Sequence, residues 1–147
     1  LLIRKAELWD VPALFDLAEM FHEEAGIGYP IPEPLAIHQT IIESKQFDAI
    51  FCFVAEDNKT IVGFIVGGMS RMAHSFSYLA STSFFYVNPK KRGSKAAKLL
   101  FDKYFQWCKE HSVSVKTAAP ISGIRTKQMC RMLGKYGFKK SGFSYVC

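Results

Sequence analysis

The stretch FFYVNPKKRGSKAAKLL, Phe84 to Leu100, joins three unlike pieces within seventeen residues. An aromatic and β-branched run, Phe84 to Val87, predicts the end of a strand. Asn88 and Pro89 then lead into a basic turn marked by Gly93, and the run from Ser94 onward is rich in helix formers. Lys90, Lys91, Arg92, Lys95 and Lys98 crowd this strand-to-helix turn. The first turn of any helix leaves backbone N–H groups without intrahelical partners, and the helix dipole adds partial positive charge there. Gly93 lets backbone approach closely, and Ala96 and Ala97 leave the first turn unobstructed. The combination predicts a site for a phosphate or pyrophosphate, with Arg92 and Lys95 supplying charge.

Working outward, LLIRKA suits a first strand, and Asp10 is placed to cap a helix with Pro12 in its first turn. Val11, Leu14, Phe15, Ala18 and Phe21 share one helical face. GIGYPIPEP, Gly26 to Pro34, breaks that helix with three prolines. A second helix follows with Leu35, His38, Ile41 and Ile42 on one side. AIFCFVAE and TIVGFIVGGMS, joined by Asp57, Asn58 and Lys59, read as a β-hairpin. A polar loop from Arg71 to Ser77 precedes the strand that ends at Val87. The helix from about Ser94 to Glu110 carries Ala97, Leu100, Phe101, Tyr104 and Cys108 on one face. VSVKTAA is a fifth strand, Ile124 to Tyr136 a helix ending at Gly137, and FKKSGFSYV a last strand. The order β-α-α-β-β-β-α-β-α-β describes an α/β fold with a mixed, mostly antiparallel sheet and flanking helices.

Bulk properties fit one domain over residues 1–147. Hydrophobic residues at 49% and aromatics at 14% exclude disorder. No apolar run approaches the roughly 20 residues of a bilayer span, so no membrane segment is expected. The opening LLIRKAELWD is too charged for a signal peptide, and the missing initiator Met implies at least one residue upstream. Cys52, Cys108, Cys130 and Cys147 lack metal-ligand spacing; they read as reduced thiols, which points to a cytoplasmic protein without a metal site. The formal charge is +6, with the acids concentrated in the first 60 residues and the positive charge between Lys90 and Lys140. An anionic partner belongs with the second half.

The element order and VNPKKRGSKAAKLL resemble the GCN5-related N-acetyltransferase (GNAT) superfamily. In the family's acetyl-CoA loop, Arg/Gln-x-x-Gly-x-Gly/Ala, Arg92, Lys95 and Ala97 take the first, fourth and sixth positions, with Lys where Gly is usual. The RGSKAA form is similar to a small phage and bacterial branch. RTKQMCRMLGKYGFKKSGF resembles the family's later helix, with Thr126 at its Asn position, Met129 at Ala, Leu133 at Tyr, and Gly137–Phe138 matching. The resemblance implies acetyl-CoA as acyl donor in a cleft beside the fourth strand. Backbone at Phe85, Tyr86 and Val87 would pair with the pantetheine arm, and amides of Arg92, Gly93, Ser94, Lys95, Ala96 and Ala97 would wrap the pyrophosphate.

The implied activity is N-acetylation of a primary amine on a small molecule or peptide. The family often has a Glu base early in the fourth strand; here those positions are Ser81, Thr82 and Ser83. Glu24, Glu33 and His74 are the substitute bases, and Tyr136 a substitute acid whose spacing suits core instead. Tyr29 and Glu33, in the proline loop, are expected to shape the acceptor site together with Arg71 to Ser77. Two alternatives stand beside this: a catalytically silent CoA binder, motivated by Ser81 and Leu133, and a basic nucleic-acid-binding module. The second ranks behind, because the chain lacks an RNA-recognition signature or zinc finger. The oligomeric state is open, a homodimer among the options.

Overall fold

The computed structural model describes residues 1–26, 28–118 and 124–141. In chain order they form β1 (Leu2–Lys5), α1 (Val11–Ala25), α2 (Pro34–Gln46), β2 (Ile50–Asp57), β3 (Thr60–Arg71), β4 (Tyr78–Val87), α3 (Ala96–Glu110), β5 (Val115–Lys116) and α4 (Thr126–Lys135). This follows the expected order through α4. The last strand falls mostly outside the described residues, and Phe138 to Ser141 are not strand.

The sheet is five-stranded with order β1-β2-β3-β4-β5; every pairing is antiparallel except β4 with β5. The β2–β3 hairpin turns on Asn58 and Lys59, both at positive φ (48° and 64°), the twist that suits a two-residue connection. Alternation along β2 sorts its side chains between two cores. Phe51, Phe53 and Ala55 join Leu100, Phe101, Tyr104 and Trp107 of α3, while Cys52 and Val54 join Leu14, Leu17 and Phe21 of α1. The sheet is therefore covered by α1 and α2 on one face and α3 on the other, with Leu133 of α4 packed into the α3 core. No helix among the described residues is long and apolar enough to cross a membrane.

Three local expectations change. Asp10 precedes α1, but its carboxylate makes no cap bond to that helix. It accepts instead from Arg4 at 2.7 and 2.8 Å and from the Glu7 N–H at 2.7 Å, because a buried carboxylate gains more from a guanidinium than from an amide alone. Burial pushes the Asp10 carboxyl up, but Arg4 and the Glu7 N–H outweigh it and hold it below its usual range. In α1 the buried face runs through Leu14, Leu17, Phe21 and Ala25, leaving Phe15 and Ala18 half-buried. In α2 only Ile41 is fully buried and Leu35 is 80% exposed, since the helix docks on α1 and β2 along Ile37 and Ile41.

One register shift shapes the later site. Val66 pairs with Phe84 and Gly67 with Thr82, so Ser83 is an extra residue in β4. Such a bulge bends its strand and increases the local twist. Opposite it the backbones come close: a Cβ on Gly67 would sit 2.1 Å from the Ser81 carbonyl oxygen and 2.7 Å from Phe51. Gly67→Ala should destabilise the fold by about 1–3 kcal/mol, the usual cost of overpacking. Urea unfolding checks this, with a smaller effect expected at Gly134, where a Cβ meets open space.

Candidate functional site

After Ala80 the sheet opens. β5 pairs with β4 only at Leu79–Val115 and Ala80–Lys116, and the Thr117 N–H closes the contact on the Ala80 carbonyl at 2.9 Å. From Ser81 to Val87, β4 keeps β3 on one side and, among the described residues, has no strand on the other. This exposed strand edge is a template for main-chain pairing. Phe84 and Tyr86 turn toward α1, each within 6 Å of the Phe21 ring, while Phe85 turns toward Phe101 of α3.

The open edge runs into the basic turn. The Asn88 side chain accepts from the Lys90 N–H at 3.0 Å, Gly93 stands at φ 90°, and α3 begins at Ala96. The Ala96 amide is bonded to the Ser94 hydroxyl. Among the described residues, the amides of Gly93, Lys95, Ala97 and Lys98 have no acceptor. A cavity of about 180 Å³ lies along this edge, walled by β4 from Thr82 to Val87, by Arg92, Gly93, Ser94 and Ala97, and by Arg125, Gln128, Met129 and Met132 of the α4 region. Of the expected cofactor residues, Phe85, Tyr86, Val87, Arg92, Gly93, Ser94 and Ala97 line it. Lys95, Ala96 and Thr126 do not, and Ala96 is fully buried.

Three of the five charges at the turn have partners within the chain. Arg92 donates to both carboxylate oxygens of Glu24 at 2.6 Å and to the Val87 carbonyl at 3.2 Å, with its guanidinium 5.2 Å from the Tyr86 ring. Arg92 therefore braces the turn against the end of α1, in place of the free cation expected. The Arg92 hydrogen bonds hold the Glu24 carboxyl below its usual range, and burial beside Glu24 pushes the Tyr86 phenol up. Lys91 pairs with Asp57 at 3.1 Å and Lys98 with Asp102 at 2.8 Å, leaving Lys90 and Lys95 exposed ahead of α3.

A second cavity, about 420 Å³, lies between α1, α2 and the sheet. It shares Phe21, Tyr29 and Phe84 with the first. Tyr29 and Glu33 both line it, as does Cys52, whose thiol burial pushes up to about 12. His74 lies in the turn after β3 and lines neither cavity. Tyr136 donates to Asp102 at 2.7 Å and packs on Phe105, outside both linings. Sequence reasoning missed Arg125 and Gln128; Met129 and Met132 line the cavity while also packing against the α3 core, and their helical stripe gives no sign of a cavity beside it.

The Glu24–Arg92 pair has a pH signature. A depressed carboxyl stabilises the fold above its unfolded pKa, and that contribution disappears as pH falls through the folded value. Glu24→Gln should therefore cost about 0.5–1 kcal/mol at pH 7, as befits a part-exposed pair. The difference between the two proteins should shrink below about pH 4.5, the ordinary glutamate value. Thermal melts of both from pH 7 to pH 3 measure it.

A family model for the acetyltransferase (GNAT) family matches residues 13–138. No curated protein matches the chain. Solved structures do. A transcriptional regulator from Bacillus halodurans superposes with TM-score 0.80 at 19% identity, covering 99% of this chain and 97% of that one. A predicted acetyltransferase with acetyl-CoA from Clostridium acetobutylicum gives 0.74 at 16%, covering 99% and 94%. An aminoglycoside acetyltransferase from an uncultured soil metagenomic sample, in complex with sisomicin, gives 0.70 at 15%, covering 99% and 95%. At these identities the likeness is one of fold.

Proposed function

The chain belongs to the acetyltransferase (GNAT) family, and we propose that its first cavity binds acetyl-CoA and that the protein moves the acetyl group onto a primary amine. The acceptor amine belongs to a small molecule or peptide. One observation carries the reading: the open edge of β4 leads directly to the unpartnered amides at the start of α3. A pantetheine arm has amides spaced along an extended chain, so it can add to a strand edge as a peptide does. Phe85 to Val87 supply that edge. The pyrophosphate then meets the amides of Gly93, Lys95, Ala97 and Lys98, helped by the helix dipole and the Lys95 charge.

The thioester falls near the bulge at Ser83. The amine lone pair attacks the carbonyl carbon, and a backbone N–H of β4 donates to the developing oxyanion from a fixed position. The C–N bond forms, the C–S bond breaks, and the thiolate leaves, gaining through water the proton that the attacking nitrogen gives up. A thiol of ordinary pKa near 8.5 departs without a dedicated acid. Glu24 makes a poor base, because Arg92 occupies both of its oxygens and holds it ionised. His74 lines neither cavity, so this reading gives it no role. The ammonium proton leaves to water at the cavity mouth, so the rate should rise with pH as free amine accumulates.

Calorimetric titration with acetyl-CoA tests the site. The protein should bind, and Gly93→Val should raise Kd at least tenfold, since a branched residue at φ 90° strains and reshapes the loop. Absence of binding by the folded protein overturns the reading. Binding with no CoA release across a panel of amines overturns the transferase half and leaves a silent CoA binder.

A further inference from the structure

The second cavity is larger than the first and different in chemistry. Its walls are mainly apolar, including Leu14, Ile37, Ile41, Phe64 and Val66. Glu33 is the one carboxylate lining it among the described residues, and no Lys or Arg does. Yet two buried polar atoms at this cavity, His22 Nδ1 and Tyr29 Oη, have no hydrogen-bond partner among the described residues. Buried polar groups in folded proteins are paired almost without exception, because an unmet one costs its full desolvation. Two such atoms beside one apolar cavity mark a place where something else supplies the bonds.

Position says what that is. Phe21, Tyr29 and Phe84 belong to both linings, so the two cavities meet at one aromatic wall next to the Ser83 bulge. Phe21 stands edge-on to Tyr29 and Phe84, with ring centroids 5.3 and 5.2 Å apart. A molecule filling the second cavity would point its near end at the place where the thioester falls. The volume of about 420 Å³ lies within the usual range for small-molecule pockets.

We propose that the second cavity holds the body of the acceptor, and that this acceptor is a primary amine on a compact apolar group, aryl or branched alkyl, bearing one hydrogen-bonding substituent. The apolar walls take the hydrocarbon, and Tyr29 Oη and His22 Nδ1 take the polar substituent. The amine reaches past Phe21 toward the acetyl carbonyl, giving an N-acetyl amide and free CoA. Polycationic acceptors are disfavoured, because each further ammonium would lose its water against walls with a single carboxylate. This rests on the acetyltransferase reading for the transfer step but not for the occupancy of the cavity.

The test uses tyramine, 2-phenylethylamine, spermidine and a lysine-containing peptide as acceptors, with CoA release as the readout. Tyramine should exceed spermidine and the peptide in kcat/KM at least tenfold, and should exceed 2-phenylethylamine, which lacks the hydroxyl. Ala18→Phe, which fills the cavity from α1, should abolish this preference while leaving the acetyl-CoA Kd unchanged. Ala36→Phe does the same from the exposed side of α2 and guards against a misfolded first variant. Tyr29→Phe should bring tyramine down to the level of 2-phenylethylamine. Preference for spermidine or the peptide overturns the inference, as does an unaltered preference in both filled variants. Tighter binding of octanoyl-CoA than acetyl-CoA, abolished by Ala18→Phe, would assign the cavity to the acyl chain and overturn it equally. Should acetyl-CoA fail to bind, the family activity falls separately. Direct titration of tyramine into the protein and into Ala18→Phe then still decides who occupies the cavity.

Discussion

Ser83 has no opposite number on β3, and much of the molecule is arranged around that surplus residue. An extra residue in one strand bends it and adds twist. Here the bend lies just beyond Ala80, where β5 makes its last contact with β4. The two strands part, and among the described residues seven residues of β4 are left with an unpaired edge. A sheet normally hides such an edge. This one is kept open over a cavity and continued by the start of α3. Gly67 makes the arrangement possible from the other side, because no larger residue clears the Ser81 carbonyl and the Phe51 ring.

The electrostatics of the turn follow a similar economy of partners. Five basic residues sit around it in sequence, but three are engaged by carboxylates from elsewhere in the chain: Arg92 by Glu24, Lys91 by Asp57 and Lys98 by Asp102. What remains for an anion is mostly neutral backbone N–H, oriented by the helix, plus the exposed Lys90 and Lys95. Preoriented amides carry no side-chain entropy cost when an anion arrives, which long free lysines would. The Glu24 contact also ties the end of α1, where the proline loop begins, to the turn. The proline loop and the basic turn therefore share one brace.

The element order was legible because each element carries a strong local signal. Leu100, Phe101, Tyr104 and Cys108 recur at helical spacing on α3 and are all buried. Asn58 and Lys59 mark the hairpin by composition. The turn at Gly93 could be read for the same reason: it combines a strand end, a left-handed glycine and a helix start within a few residues. The bulge could not, since a single inserted residue leaves the alternation of β4 ambiguous and has no composition of its own. Nor could the role of Arg92, whose partner is 68 residues away. Leu35 misled for a related reason: helical periodicity identifies a stripe, but only the neighbouring sheet decides which stripe is covered. The second cavity was visible only as a proline-broken loop, because cavities are made by residues distant in sequence.

Cys52 sits at 3% exposure on the wall of the second cavity. Thiols exchange acyl groups with thioesters readily when they are thiolates and hardly at all when protonated. Burial pushes the Cys52 pKa up to about 12, so at neutral pH the thiol stays protonated. Burial thus does more than fill the core. It keeps a sulfur beside an open cavity protonated, and so unreactive toward thioesters and other electrophiles that reach that wall.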